Sequence, residues 1–117
     1  MPHKPEKLLQ DVLDAGTAIR SFVAGKALDD YGTDAMLRSA VERQFEIIGE
    51  ALRRLVALNP TLVERISDHQ RIIAFRNIIA HGYEILDDAA VWQAIQDKLP
   101  LLLTQTRSIL DDLSRPS

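Results

Sequence analysis

Apolar residues return at every third or fourth position along most of this 117-residue chain, a period that fits helices and argues against strands. The β-branched alternation of half-buried strands is nearly absent, and glycine and proline interrupt the pattern at few places. Leu8, Leu9, Val12, Leu13, Ala15, Ile19, Phe22 and Val23 form the first stripe. They predict a helix from about Pro5 to Ala24, ended by Gly25 and the polar stretch Asp29-Asp30-Tyr31-Gly32. Thr33 or Asp34 can cap a second helix that reaches about Leu58, where Asn59-Pro60 stops it. Its stripe is Leu37, Val41, Phe45, Ile48, Leu52, Leu55 and Val56. Roughly 25 residues at 1.5 Å rise make it a rod of about 40 Å. Gly49 in its interior costs about 1 kcal/mol against alanine, which points to a close helix crossing or a partner backbone there.

Residues 60–69 read as a short helix or an irregular link. A third main helix spans about His69 to Ala80, with Ile72, Ile73, Phe75, Ile78 and Ile79 supplying more apolar surface than one stripe needs, so it is expected to be largely buried. Gly82 suits the left-handed position that closes a last helical turn. Asp87 or Asp88 can cap a fourth helix over about 88–113, carrying Val91, Trp92, Ile95, Leu99, Leu102, Leu103, Ile109 and Leu110. Pro100 kinks that helix or marks a restart, because its ring displaces a backbone bond. The expected architecture is an all-α, up-and-down four-helix bundle, one domain over 1–117 with its core at about 5–113.

The chain has no cysteine, which removes disulfides, thiolate nucleophiles and cysteine-based zinc sites, and suits a reducing cytoplasm. No apolar run approaches the roughly 20 residues of a membrane span, and no signal-peptide core follows Met1-Pro2-His3-Lys4-Pro5. The expected setting is cytoplasmic, with no membrane association. The net charge is −3, but its distribution is uneven. Residues 36–83 hold seven arginines against five acids, and the flanks hold seven basic residues against twelve acids. Charge that could attract a polyanion such as a nucleic-acid backbone therefore lies in the middle, and Arg38, Arg43, Arg53 and Arg71 are the candidate contacts to it. The alternative is a solvated helix face laced with ion pairs.

The octapeptide Arg76-Asn77-Ile78-Ile79-Ala80-His81-Gly82-Tyr83 concentrates the chemistry. Arginine can neutralise a phosphate, histidine can move protons near neutral pH, and asparagine can orient the histidine. Asn77 and His81 are four residues apart and share a helix face. Arg76 and His81 are five apart, a turn of about 140°, and do not. A second molecule, or an unwound helix end at Gly82, would be needed to bring the two to one substrate. His3 and His69 lack metal-ligand spacing to His81, no phosphate-cradling glycine loop occurs, and no serine pairs with His81 as a nucleophile. The reading that remains is metal-free, cofactor-free phosphate chemistry, with histidine as acid or base and arginine stabilising charge on phosphorus oxygens. The plainer alternatives are a surface histidine at a helix end and an arginine paired with Glu46 or Glu50.

The same segment, preceded by Ile72-Ile73-Ala74-Phe75, forms an R-x-x-x-x-H-x-Y pattern. With Ile47-Ile48-Gly49-Glu50-Ala51 before it, and Val91-Trp92 and Leu99-Pro100-Leu101 after, the chain resembles the HEPN superfamily. Within it, the similarity is to the HepT-like toxins of toxin–antitoxin pairs. The resemblance covers roughly residues 8–112. It implies a helical bundle forming two-fold homodimers and a metal-independent endoribonuclease that leaves a 2′,3′-cyclic phosphate and a 5′-hydroxyl. The family's motif maps its arginine and histidine onto Arg76 and His81, and its polar residue onto Asn77. In that family two copies of the motif face one cleft at the dimer interface. The implied partner is a nucleotidyltransferase antitoxin, which in some members transfers AMP to the tyrosine that maps onto Tyr83. The implied substrate is RNA, transfer or messenger. Two positions depart from the family pattern: Gly82 stands where a charged residue is common, and Ser67-Asp68-His69-Gln70 lacks a tryptophan. A non-catalytic dimeric adaptor, binding a nucleotidyltransferase or a nucleotide through the same cleft, is the competing expectation.

Overall fold

The structure is a computed structural model that describes the backbone of residues 4–81 and 87–115 and the side chains of 4–75 and 87–115. Among the described residues the chain forms helices and no strand, as the apolar period requires. The helices are α1 (Pro5–Val23), α2 (Leu28–Thr33), α3 (Ala35–Leu58), α4 (Pro60–Val63), α5 (His69–His81), α6 (Asp88–Asp97) and α7 (Leu99–Ser114). None of them is long and apolar enough to cross a membrane.

Local chemistry sets most of the boundaries. Pro5 opens α1 at a position where its missing N–H costs nothing, and Gly25, at φ 73°, carries the chain out of it. Of the two possible caps for α3, Asp34 is the one used: its carboxylate accepts from the Leu37 N–H at 3.0 Å. Asn59 ends α3 and caps α4, accepting from the Leu62 N–H at 3.2 Å, with Pro60 as the first residue of α4. Asp87 caps α6 through the Ala89 N–H at 3.0 Å. The single helix expected over 88–113 is two, broken at Lys98, because Pro100 has no N–H to continue the ladder.

Residues 28–33 depart from the sequence reading, which took them as a polar terminator. They form α2, a short helix whose start is fixed by the Asp30 carboxylate accepting from the Ala27 N–H at 2.8 Å. Tyr31 projects from it into the core at 1 % exposure and meets Trp92 of α6 at a ring-centroid distance of 5.7 Å.

The core lies between α1, α3 and α7. Leu9, Val12 and Ile19 of α1 meet Val41, Ile48, Leu52 and Leu55 of α3 in one cluster, each fully buried. Burial at roughly 1.5–3 kcal/mol per large side chain outweighs the exposed ion pairs of this fold, worth about 0–1 kcal/mol each. Gly16 lets α1 and α7 approach: a Cβ there would stand 2.5 Å from Leu103 Cδ2. Gly49 is buried on α3, which α1 and α5 flank. Val56, counted in the α3 stripe, faces solvent near the end of the rod.

Among the described residues, one buried side-chain group is unsatisfied. Thr106 of α7 is wholly buried, and its hydroxyl has no hydrogen-bond partner. A buried unpaired hydroxyl carries its full desolvation cost, and valine has the same shape without it. Thr106→Val should therefore raise the free energy of unfolding by about 1 kcal/mol in a urea titration with unchanged slope. A loss of stability would mean that the hydroxyl has a partner.

Candidate active site

The helix that carries the motif is held at its start by three contacts to the last two helices. Arg65 Nη2 lies 2.6 Å from the Asp112 carboxylate, and Lys98 Nζ lies 3.1 Å from the Asp68 carboxylate. Between them the Ser67 N–H donates to Gln105 Oε1 at 2.8 Å, while Gln105 Nε2 donates to the Ser67 hydroxyl at 2.9 Å. Each contact is exposed and individually weak, so together they set the position of α5 more than its stability. The bond and charge of Lys98 hold the Asp68 carboxyl below its ordinary range. Asp68 itself adopts φ 59°, a left-handed turn that aspartate tolerates, and α5 begins at the next residue. The departure at Ser67–Gln70 leaves the start of this helix where its apolar pattern places it.

From there α5 packs along α3, with Phe75 edge-on to Phe45 at a centroid distance of 5.2 Å. The backbone stays helical through His81, so positions 76 and 81 leave the axis about 140° apart. The side chains of Arg76, Asn77 and His81, and the whole of Gly82 and Tyr83, lie outside the described residues. Within its described part α5 is less buried than its composition suggests. Ile72, Ile73 and Phe75 are half-buried, and Arg71 and Ala74 are exposed. For Arg71, Ile72 and Phe75 the physical reason is a groove where the bundle does not close. It measures about 150 Å³ and runs between α5 and the α6–α7 junction, with Ile72, Phe75, Leu101 and Leu102 on its walls and Arg71 and Lys98 at its rim.

The arginines expected to meet RNA are placed as follows. Arg38 Nη1 donates to the carbonyls of Gly32 at 2.6 Å and Tyr31 at 3.3 Å, closing the end of α2. Arg43 pairs with Glu46 at 3.3 Å, and Arg53 makes a forked contact to Glu50, which also accepts from Arg54 Nε at 3.0 Å. Arg38 and Arg53 are 15 residues apart, or about 22 Å along α3. Of the four, Arg38 and Arg71 make no ion pair among the described residues, and the Arg71 side chain makes no hydrogen bond there either. His69 turns inward, its Nδ1 3.2 Å from the Ile66 carbonyl. Lys98 was not singled out in the sequence, and Leu101 only as part of the Leu99-Pro100-Leu101 pattern. The signal for them was an apolar residue beside the helix restart at Pro100.

The chain re-enters the described fold at α6, which is anchored by the Tyr31–Trp92 contact and by charges around it. Burial pushes the Tyr31 phenol up, with the carboxylates of Glu42 and Asp88 adding to the shift and Arg38 opposing it. Glu42 is raised by burial and then by Asp88 and Glu46, against the pull of Arg38.

Residues 12–109 match the family model described as Ribonuclease HepT-like. The chain belongs to that family. A Methanocaldococcus jannaschii protein, named a gamma-glutamylcyclotransferase and provisionally an RNase, is 26 % identical over 110 residues. That alignment takes in 92 % of this chain, which spans about half, 48 %, of the relative's length. A second M. jannaschii protein, provisionally named an RNase, is 28 % identical over 94 residues, 79 % of this chain and 84 % of the relative. A Thermococcus cleftensis protein, provisionally named ribonuclease HepT, is 26 % identical over 106 residues, 87 % of this chain and 92 % of the relative. No solved structure matches the chain significantly. The HepT-like assignment bears out the family resemblance and the all-α HEPN fold.

Glu42 supplies a test of how the α6 anchor is built. It holds its proton more tightly folded than unfolded, so its contribution to stability falls as pH rises through that interval and is most unfavourable at neutral pH. Glu42→Gln should raise the melting temperature at about pH 7, with the difference shrinking away as pH falls to about 4. A variant less stable at neutral pH would show that attraction to Arg38 dominates.

Proposed function

We propose that this HepT-like chain is a metal-independent endoribonuclease and the toxin of a type VII-like toxin–antitoxin pair. The observation that carries the reading is the R-x-x-x-x-H sequence on α5, inside the segment that matches the ribonuclease family model. The provisional RNase names of the relatives support it.

The chemistry follows from the residue types. The substrate supplies its own nucleophile, the ribose 2′-hydroxyl. His81 takes its proton as the oxygen attacks phosphorus, and Asn77 fixes the tautomer of the imidazole. Arg76 stabilises the charge that builds on the phosphorus oxygens. The bond to the 5′-oxygen breaks, that oxygen takes a proton from solvent, and the products are a 2′,3′-cyclic phosphate and a 5′-hydroxyl. Helical backbone through His81 separates Arg76 from His81 around the axis, so a site that uses both is best completed by a second chain. A two-fold homodimer would let the arginine of one chain serve the histidine of the other. Arg38, Arg43, Arg53 and Arg71 would add sequence-independent attraction for the RNA backbone.

Control is assigned to Tyr83. Transfer of AMP to its phenol by a nucleotidyltransferase antitoxin would place bulk and negative charge close in sequence to Arg76, in competition with an RNA phosphate.

Purified protein should cleave RNA in the presence of EDTA and leave 2′,3′-cyclic phosphate ends. His81→Ala should slow cleavage about 10²- to 10⁴-fold, with a loss of similar order for Arg76→Ala. Cleavage abolished by EDTA, or undiminished in His81→Ala, would overturn the mechanism.

A further inference from the structure

We propose that the groove between α5 and the α6–α7 junction is a nucleobase subsite, taking one unstacked base of the RNA strand beside the cleavage motif. The inference rests on the ribonuclease reading and deepens it. At about 150 Å³ the groove is well below the ~300–1,000 Å³ of sites for drug-sized ligands, so its occupant is a group the size of one ring system. Its walls are apolar, and three of their side chains remain incompletely covered. Leu101 is 46 % exposed, and Ile72 and Phe75 are half-buried on a helix with enough apolar residues for full burial.

Charge at the rim selects the occupant. Among the described residues lining the groove, Arg71 and Lys98 stand there with Asp68 as the one acid, an excess of one positive charge on a chain of net charge −3. Lys98 is engaged by Asp68, whereas Arg71 is exposed and has no ion pair among the described residues. An apolar slot with a phenyl ring in its wall and an exposed guanidinium at its mouth suits a flat aromatic ring tethered to a phosphate. An apolar peptide would bring no negative charge to Arg71, whose one neighbouring carboxylate, Asp68, is already bonded to Lys98. The position agrees through the wall rather than the rim: position 72 lies four residues before position 76 and shares a helix face with it, whereas position 71 is turned about 140° from position 76. A strand whose scissile phosphate meets Arg76 therefore passes the groove with a neighbouring nucleotide.

The test is direct binding, separate from cleavage. A fluorescein-labelled RNA oligonucleotide is titrated by anisotropy into His81→Ala protein, which keeps the strand intact, with and without Leu101→Glu. The titration is repeated with oligonucleotides carrying one abasic residue at each position in turn. Leu101 is exposed, so the added carboxylate blocks the mouth of the groove without entering the core. Phe75→Leu, which keeps an apolar side chain and removes the ring, is the second variant. Loss of a stacked base should weaken binding roughly 10-fold or more at one position, and that loss should disappear in both variants. Affinity within twofold of the parent in Leu101→Glu, abasic losses that persist unchanged in both variants, or no binding of any oligonucleotide would overturn the subsite. Base-dependent binding by a protein that never cleaves RNA supports the subsite while removing the ribonuclease reading. His81-dependent cleavage with no such dependence does the reverse.

Discussion

Everything in this fold is arranged on α3, which must be covered on more than one side. Its buried residues Val41, Phe45, Ile48, Ala51, Leu52 and Leu55 spread too widely around the helix for one neighbour to seal them. Helix α1 takes one side and α5 the other, and α7 closes against α1. The cost of leaving α3 uncovered, at a few kcal/mol per large apolar side chain, far exceeds any exposed ion pair in the molecule. The motif helix is thus where it is because a rod without chemistry of its own needs a partner. The surface links Arg65–Asp112, Ser67–Gln105 and Asp68–Lys98 then choose its register.

Much of this was legible in the sequence. The three-and-four period of Leu8 to Val23 and of Leu37 to Leu55 depends only on helix geometry and burial, and both helices lie where that period puts them. Asp34, Asn59 and Pro100 act through local backbone chemistry, and their effects were readable for the same reason. Tyr31 was not. A six-residue helix has too few positions to show a period, and the polar residues around it resemble a terminator. Its burial depends on Trp92, some sixty residues away, which no local pattern reveals. The groove was equally hidden, since excess apolar residues on α5 read as burial and say nothing about where a bundle fails to close.

The candidate site divides in the same manner. The pattern from Arg76 to Tyr83 and its place on the last turns of a helix were visible in sequence, and the HepT-like family match covers it. The distribution of arginines was visible too, but not their partners. Arg38 closes α2, Arg43 and Arg53 lean on acids of their own helix, and Arg71 stands apart at the groove. Ion pairing between side chains three residues apart could have been anticipated for Arg43 and Arg53. The role of Arg38 could not, because it serves a helix that the sequence did not reveal.

With α5 helical through His81, we propose that one motif is half of a site and that a second chain supplies the other half. Co-expression of differently tagged Arg76→Ala and His81→Ala chains, followed by purification of the mixed dimer, tests it most directly. Each variant alone should be inactive. The mixed dimer has one intact pair, the arginine of one chain with the histidine of the other, and should recover about half of the wild-type rate per dimer. A mixed dimer as inactive as its parents would place both residues in one chain and contradict the account.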